Sequence, residues 1–166
     1  MGIKAAAATD YATMITMRRA VRAIVVRDDT ILVMHRNKFG NEYYTLIGGG
    51  VEPGEDFEMA LVREVAEETQ LTVANPRLVY VEDGGERHGE QFIFLTDYVA
   101  GEPVLRPDSE EALISKLGRN IYKPMWLPLT ELKKANFLSE ELKQRILQCV
   151  EQGWPTEPQH FNHVQA

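Results

Sequence analysis

Three glutamates, Glu64, Glu67 and Glu68, fall within one helical turn of GGGVEPGEDFEMALVREVAEETQL, residues 48–71. Carboxylates are hard oxygen donors, and in such number they suit Mg2+ or Mn2+ better than zinc, which favours His or Cys. Like charges three and four residues apart repel, so either water or a cation must offset them. At about 100° per residue, Phe57, Ala60 and Leu61 share the core-facing side of a helix over 57–69. Glu64, Glu67 and Glu68 continue that same side toward the C-terminus. A solvated acidic face would lie opposite the apolar one, and the C-terminal end of a helix disfavours negative charge. On these grounds a bound cation and a merely acidic helix both stay open.

The elements that must position these acids form one α/β domain. Segments 18–27 and 30–36 are rich in β-branched and aliphatic residues and make a hairpin across Asp28-Asp29. A polar loop, 37–42, leads to a short strand at 43–47 that ends in Gly48, Gly49 and Gly50. After the helix, strands are expected at 77–83, 91–100 and 121–129, with loops at 84–90 and 101–103. A last helix, 139–152, opens on Ser139 as N-cap and repeats Leu142, Ile146 and Val150 on one side. Residues 1–16 read as a disordered tail, 17–155 as the domain and 156–166 as a C-terminal tail.

Composition narrows the function. The 166 residues suit one domain with a full core. A formal charge of -7 argues against a large nucleic acid as partner, because phosphate-backbone binding needs clustered Lys and Arg. It does not exclude a small phosphorylated ligand whose charge a metal offsets. No apolar run approaches a membrane span, and the single cysteine, Cys149, fits a reducing compartment; the expected location is the cytoplasm.

Counting from Gly49, five residues precede Glu55, seven more precede Arg63, and REVAEE (63–68) follows with Leu71 beyond. This spacing resembles the signature of the Nudix hydrolases, over 49–71. The WLPLTEL stretch, 126–132, is also similar. The resemblance implies an α/β/α sandwich, with a mixed β-sheet between helices, and Mg2+-dependent cleavage of the pyrophosphate bond in a nucleoside diphosphate derivative. It implies Glu64, Glu67 and Glu68 as ligands for Mg2+ (or Mn2+), with Arg63 pairing Glu67. Glu55 would brace the loop or complete the metal shell. The glycines at 48–50 would let backbone approach phosphates. Gln70 departs from the motif's glycine and must adopt a helix-ending conformation that glycine adopts more easily. Ile47 departs from a frequent proline.

Candidates for the base that activates water are the helix glutamates, Glu110 and Glu111, and Glu86 or Glu90; outside the helix, solvated loop acids are the commoner explanation. His35, Arg36 and Lys38 end a strand and could meet phosphates, with Arg36 the choice for substrate. Tyr43 or Tyr44 could stack on a base, although alternation sends one of them to the core. His160 and His163 fit a mobile tail better than a metal site. The substrate is expected to be a nucleotide, nucleotide sugar or ADP-ribose-like molecule, and none of the family's substrate-branch signatures fits. RNA 5′-end pyrophosphohydrolysis and a catalytically silent, nucleotide-binding regulator are the alternatives. A homodimer stays open.

Overall fold

The computed structural model describes residues 18–162, so the expected tail at 1–16 lies outside the described residues. The strands are β1 (Arg19–Arg27), β2 (Thr30–Lys38), β3 (Asn41–Thr45), β4 (Ile47–Gly50), β5 (Thr72–Asp83), β6 (Glu90–Ala100), β7 (Asn120–Pro128) and β8 (Gln159–Asn162). The helices are α1 (Phe57–Thr69), α2 (Gly85–His88), α3 (Glu110–Lys116), α4 (Leu129–Leu132) and α5 (Glu140–Gln152).

The sheet is mixed. β1 runs parallel to β6 and antiparallel to β4, β6 pairs β5 antiparallel, and β8 adds to β5 in parallel. β2 carries β3 and β7 on its two sides and joins β1 at the hairpin turn, Val26 opposite Ile31. Alternation along β1 separates two cores. Val21, Ala23 and Val25 meet Ala60, Leu61 and Val65 of α1, whereas Ile24 belongs with Leu142, Ile146 and Cys149 of α5. Helices therefore cover both faces, as expected.

The helix over 57–69 has the expected bounds. Asp56 caps its start by accepting from the Met59 amide at 2.8 Å. Ser139 caps α5 by accepting from the Leu142 amide. Four expectations are corrected. The 37–42 loop is a tight turn, because β2 runs to Lys38 and β3 starts at Asn41, with Phe39 and Gly40 both at positive φ. β5 begins at Thr72 rather than 77, carrying register shifts that irregular pairing allows. The strand expected to end at 129 gives way to the one-turn helix α4. The tail at 156–166 contains β8, where His160 sits opposite Val81, so His160 is sheet; His163 lies outside the described residues.

Candidate active site

Arg63 organises the site. Its Nε and Nη2 donate to the two oxygens of Glu55 at 2.9 and 2.8 Å, the forked geometry that only guanidinium offers. Nη2 also reaches the Gly50 carbonyl at 3.0 Å. Nη1 donates to Glu64 at 2.9 Å and to Glu67 at a longer 3.5 Å. Arg63 thus does more than pair with Glu67: it ties the glycine strand and the loop before α1 to the helix. Glu55 acts as the brace, also accepting from the Glu52 amide at 2.9 Å. The Arg63 bonds hold the Glu55 carboxyl below its ordinary pKa.

Glu64 and Glu68 lie one turn apart, each 8 % exposed. Burial pushes both carboxyls up, against the pull of Arg63 on Glu64 and of Arg22 on Glu68. Glu68 reaches about 8, although it accepts from the Gly48 amide at 3.1 Å. Among the described residues no cationic side chain comes within ion-pair distance of Glu68. Glu67 is more exposed and turns toward Arg63.

The glycines belong to this packing. A Cβ on Gly49 would sit 2.6 Å from the Glu64 carboxylate. Gly48 has φ +151°, and a Cβ there would meet the Val21 carbonyl oxygen at 1.9 Å. β4 therefore lies hard against both the helix acids and β1.

Glu64 and Glu68 open into a cleft of about 330 Å3, which also receives Glu110 and Glu111 from α3. The charge of Glu111 raises the pKa of Glu64 and Glu68 alike. Arginines 18, 22 and 36 line the same cleft, with Gly48, Gly49 and Gly50 in its wall. Four carboxylates and three guanidiniums in one recess can hold a cation and an anion side by side. A smaller cavity of about 80 Å3 adjoins it, sharing Arg22, Thr45 and Leu46.

Of the strand-end cations expected to meet phosphate, only Arg36 lines the cleft. It lies between its cross-strand neighbours Tyr43 and Tyr122, 3.5 Å from the centre of the Tyr122 ring, and Nη2 donates to Asn120 at 2.7 Å. Its Nε is buried without a partner. His35 instead stacks on Tyr44 and faces Glu42, while Lys38 sits at the exposed hairpin tip. Tyr44 packs on the core. Glu86 and Glu90 do not line the cleft, and Glu90 pairs with Arg19.

Sequence reasoning missed Arg18, Arg22 and Tyr122. Arg22 had a signal: it shares a strand parity with Ala20 and Ile24, both fully buried. A charged residue on such a face needs a reason. Its guanidinium donates to the Gly48 carbonyl and to Gln91, both at 2.9 Å. Tyr122 had none, because only the β2–β7 register brings it beside Arg36.

The donor set is all carboxylate, with no His or Cys, and so suits a hard divalent cation. Two buried acids that share a cleft and lack a full counter-charge fit such an ion. As the side chains stand, no group of three potential ligands among the described residues is gathered closely enough to hold one. Glu64 and Glu67 both pair with Arg63.

This fold and signature are those of the NUDIX domain family, whose pattern matches residues 16–147; the chain belongs to that family. An ADP-ribose pyrophosphatase from Streptococcus suis 89-1591 superposes with a TM-score of 0.60 at 20% identity, over 89% of this chain and 99% of that one. A mutator MutT protein from Bacillus halodurans does so at 0.60 and 22%, over 88% and 90%. In sequence, an NAD-capped RNA hydrolase NudC of Edwardsiella ictaluri is 42% identical over 76 residues, 46% of this chain. The chain spans about a third of the length of such curated relatives. No helix among the described residues is long and apolar enough to cross a membrane.

Proposed function

We propose that this chain is a Mg2+-dependent hydrolase that cleaves the pyrophosphate bond of a nucleoside diphosphate derivative. The observation that carries the reading is the shared cleft, where buried Glu64 and Glu68 meet Glu110 and Glu111 beside Arg18, Arg22 and Arg36. Glu64 and Glu68 would hold the cation, with Glu67 joining them once released from Arg63. A divalent cation held by these carboxylates would supply positive charge to offset that of the phosphates. Arg36 and Arg22 bind and orient the diphosphate, and Gly48–Gly50 let it approach backbone. Glu111, which shares the cleft with both helix acids, takes the proton from the water that attacks one phosphorus, as the bond from that phosphorus to the bridging oxygen breaks and the other phosphate leaves with that oxygen. Part of the nucleoside side of the molecule would enter the adjoining cavity, whose wall sets Leu46, Leu138 and Leu142 beside Ser139 and Gln91. Arg63 and Glu55 hold the helix and loop in register. The location in keeping with this role and with the single thiol is the cytoplasm.

The test is a panel with Mg2+: nucleoside triphosphates, ADP-ribose, NADH, sugar nucleotides and dinucleoside polyphosphates. Turnover of at least one, abolished by chelator and restored by Mg2+ or Mn2+, is the expected result. Turnover undiminished in chelator overturns the metal role, and no turnover at all favours a silent nucleotide-binding domain.

A second reading follows from the relative described as an NAD-capped RNA hydrolase. NADH and an NAD-capped RNA belong in the same panel. The charge of -7 favours the small molecule, so NADH should be cleaved at least as efficiently as the capped RNA.

A further inference from the structure

Gln70 occupies the position where the motif carries glycine, and the backbone accommodates it as glycine would be: φ 59°, ψ 17°, with its amide closing on the Ala66 carbonyl at 3.0 Å. A glutamine gains nothing from that conformation. Its side chain, however, has work that glycine could not do. Nε2 lies 3.2 Å from both the Val104 and the Leu105 carbonyl oxygens.

The same stretch of chain is bound to the end of α1 by its backbone. The Val104 amide donates to the Thr69 carbonyl at 3.0 Å, and the Arg106 amide to the Glu67 carbonyl at 3.2 Å. Residues 104–106 thus form a strap that satisfies helix-end carbonyls no helical partner can reach. From the strap the chain passes through Ser109, buried and bonded to the Arg106 carbonyl at 2.9 Å, whose hydroxyl caps α3. Glu110 and Glu111 follow at once, in the first turn of α3 and in the cleft.

We propose that Gln70 is a positioning residue: its carboxamide fastens the strap to the C-terminus of α1 and so holds Glu111 in the cleft with Glu64 and Glu68. The inference rests on the functional reading above. It has a consequence that the resemblance alone would reverse. Restoring the motif glycine relaxes the left-handed backbone, which favours the fold, but leaves the strap without its side-chain hydrogen bonds, held by the two backbone bonds and the packing of Leu105. Gln70→Gly should therefore match or exceed the parent in thermal stability and yet be the slower enzyme.

The experiment compares Gln70→Gly, Gln70→Glu, which keeps the shape and loses the donor, and Gln70→Lys, which keeps a donor. Hydrogen exchange on metal-free protein reads the tether without any substrate. The Val104 and Arg106 amides should exchange about three- to tenfold faster in the Gly and Glu variants, the scale of one ordinary hydrogen bond, and near the parental rate in Lys. On the best panel substrate, kcat should fall by a similar factor with KM held within about twofold, and Lys should recover most of it. Adding Glu111→Gln to the Gly variant should cost no more than Glu111→Gln alone, because both act through one carboxylate. Unchanged exchange overturns the tether, and additive losses overturn the route through Glu111. A Gly variant as fast as the parent overturns the proposal outright. If the parent cleaves nothing in the panel, the functional reading falls, while the exchange rates still decide whether Gln70 holds the strap.

Discussion

Arg63 and Glu55, eight positions apart in sequence, meet through two parallel hydrogen bonds of 2.8 and 2.9 Å, and this fork fixes where the loop before α1 joins the helix. Lysine cannot reproduce it, being a point charge without the planar pair of donors. Arg63→Lys should lose roughly 2 kcal/mol of stability, the scale of hydrogen bonds to a charged partner. Activity should fall about a hundredfold through misplaced acids. Thermal melts beside kinetics check it, and parental activity in the Lys variant would contradict the bracing role.

Glu68 sets a pH dependence in metal-free protein. Its folded pKa, about 8, lies above the ordinary carboxyl value of 4.5, so between those values the native state holds a proton that the unfolded chain has released. Stability should therefore be fullest below about pH 4.5 as far as this group is concerned, fall as pH rises, and level off above about pH 8, by at most about 1.4 kcal/mol per pH unit. Glu68→Gln should flatten that slope and melt higher than the parent at pH 8 without metal. Added Mg2+ should reverse the ranking by stabilising the parent more. Melting curves from pH 5 to 9, with and without Mg2+, read both effects. Turnover of the variant should drop at least about a hundredfold.

The two α3 acids should separate in function. Glu111 is partly buried and raises the pKa of Glu64 and Glu68, whereas Glu110 is exposed. Glu111→Gln should lower kcat by about 100-fold or more, and Glu110→Gln by less than about tenfold. Equal losses would count against Glu111 as the proton acceptor.

Gly49 and Gly48 should fail differently. The Cβ of Gly49→Ala would press on the end of a flexible side chain, the Glu64 carboxylate, so this variant should fold and lose activity. In Gly48→Ala the Cβ would meet the rigid backbone of β1 at 1.9 Å, at a left-handed φ, and should lower the melting temperature by several degrees or prevent folding. Circular dichroism melts and rates on both proteins distinguish the two.

What the sequence made legible follows the length scale of each signal. Thirteen residues of α1 carry enough periodicity to mark both its ends and the side on which Glu64 and Glu68 lie. Seven residues of α3 do not, even though Ser109 and two following acids form a capping pattern, so Glu110 and Glu111 stood only as loop candidates. Arg22 showed in its strand parity with Ala20 and Ile24, whereas Tyr122 reaches the cleft only through the pairing of β2 with β7. Pairing of that kind has no local trace. β8, four residues reading QHFN, lacks the β-branched run that marks a strand.

The same β8 bears on how this chain behaves among its copies. Lying in parallel against Tyr80–Asp83 of β5, with Phe161 against the Tyr80 ring and the Arg145 guanidinium over Phe161, it occupies a border of the sheet that would otherwise stand open. A chain cut after Pro155 would keep every residue of the cleft and still present four residues of bare strand backbone to its neighbours. Bare strand backbone is a template on which further chains assemble. β8 is itself the end of the sheet but a short and polar one, whereas the β5 stretch beneath it carries Tyr80 and Val81. The shortened protein should therefore clump at concentrations where the longer one stays dispersed, and β8 guards colloidal behaviour rather than chemistry.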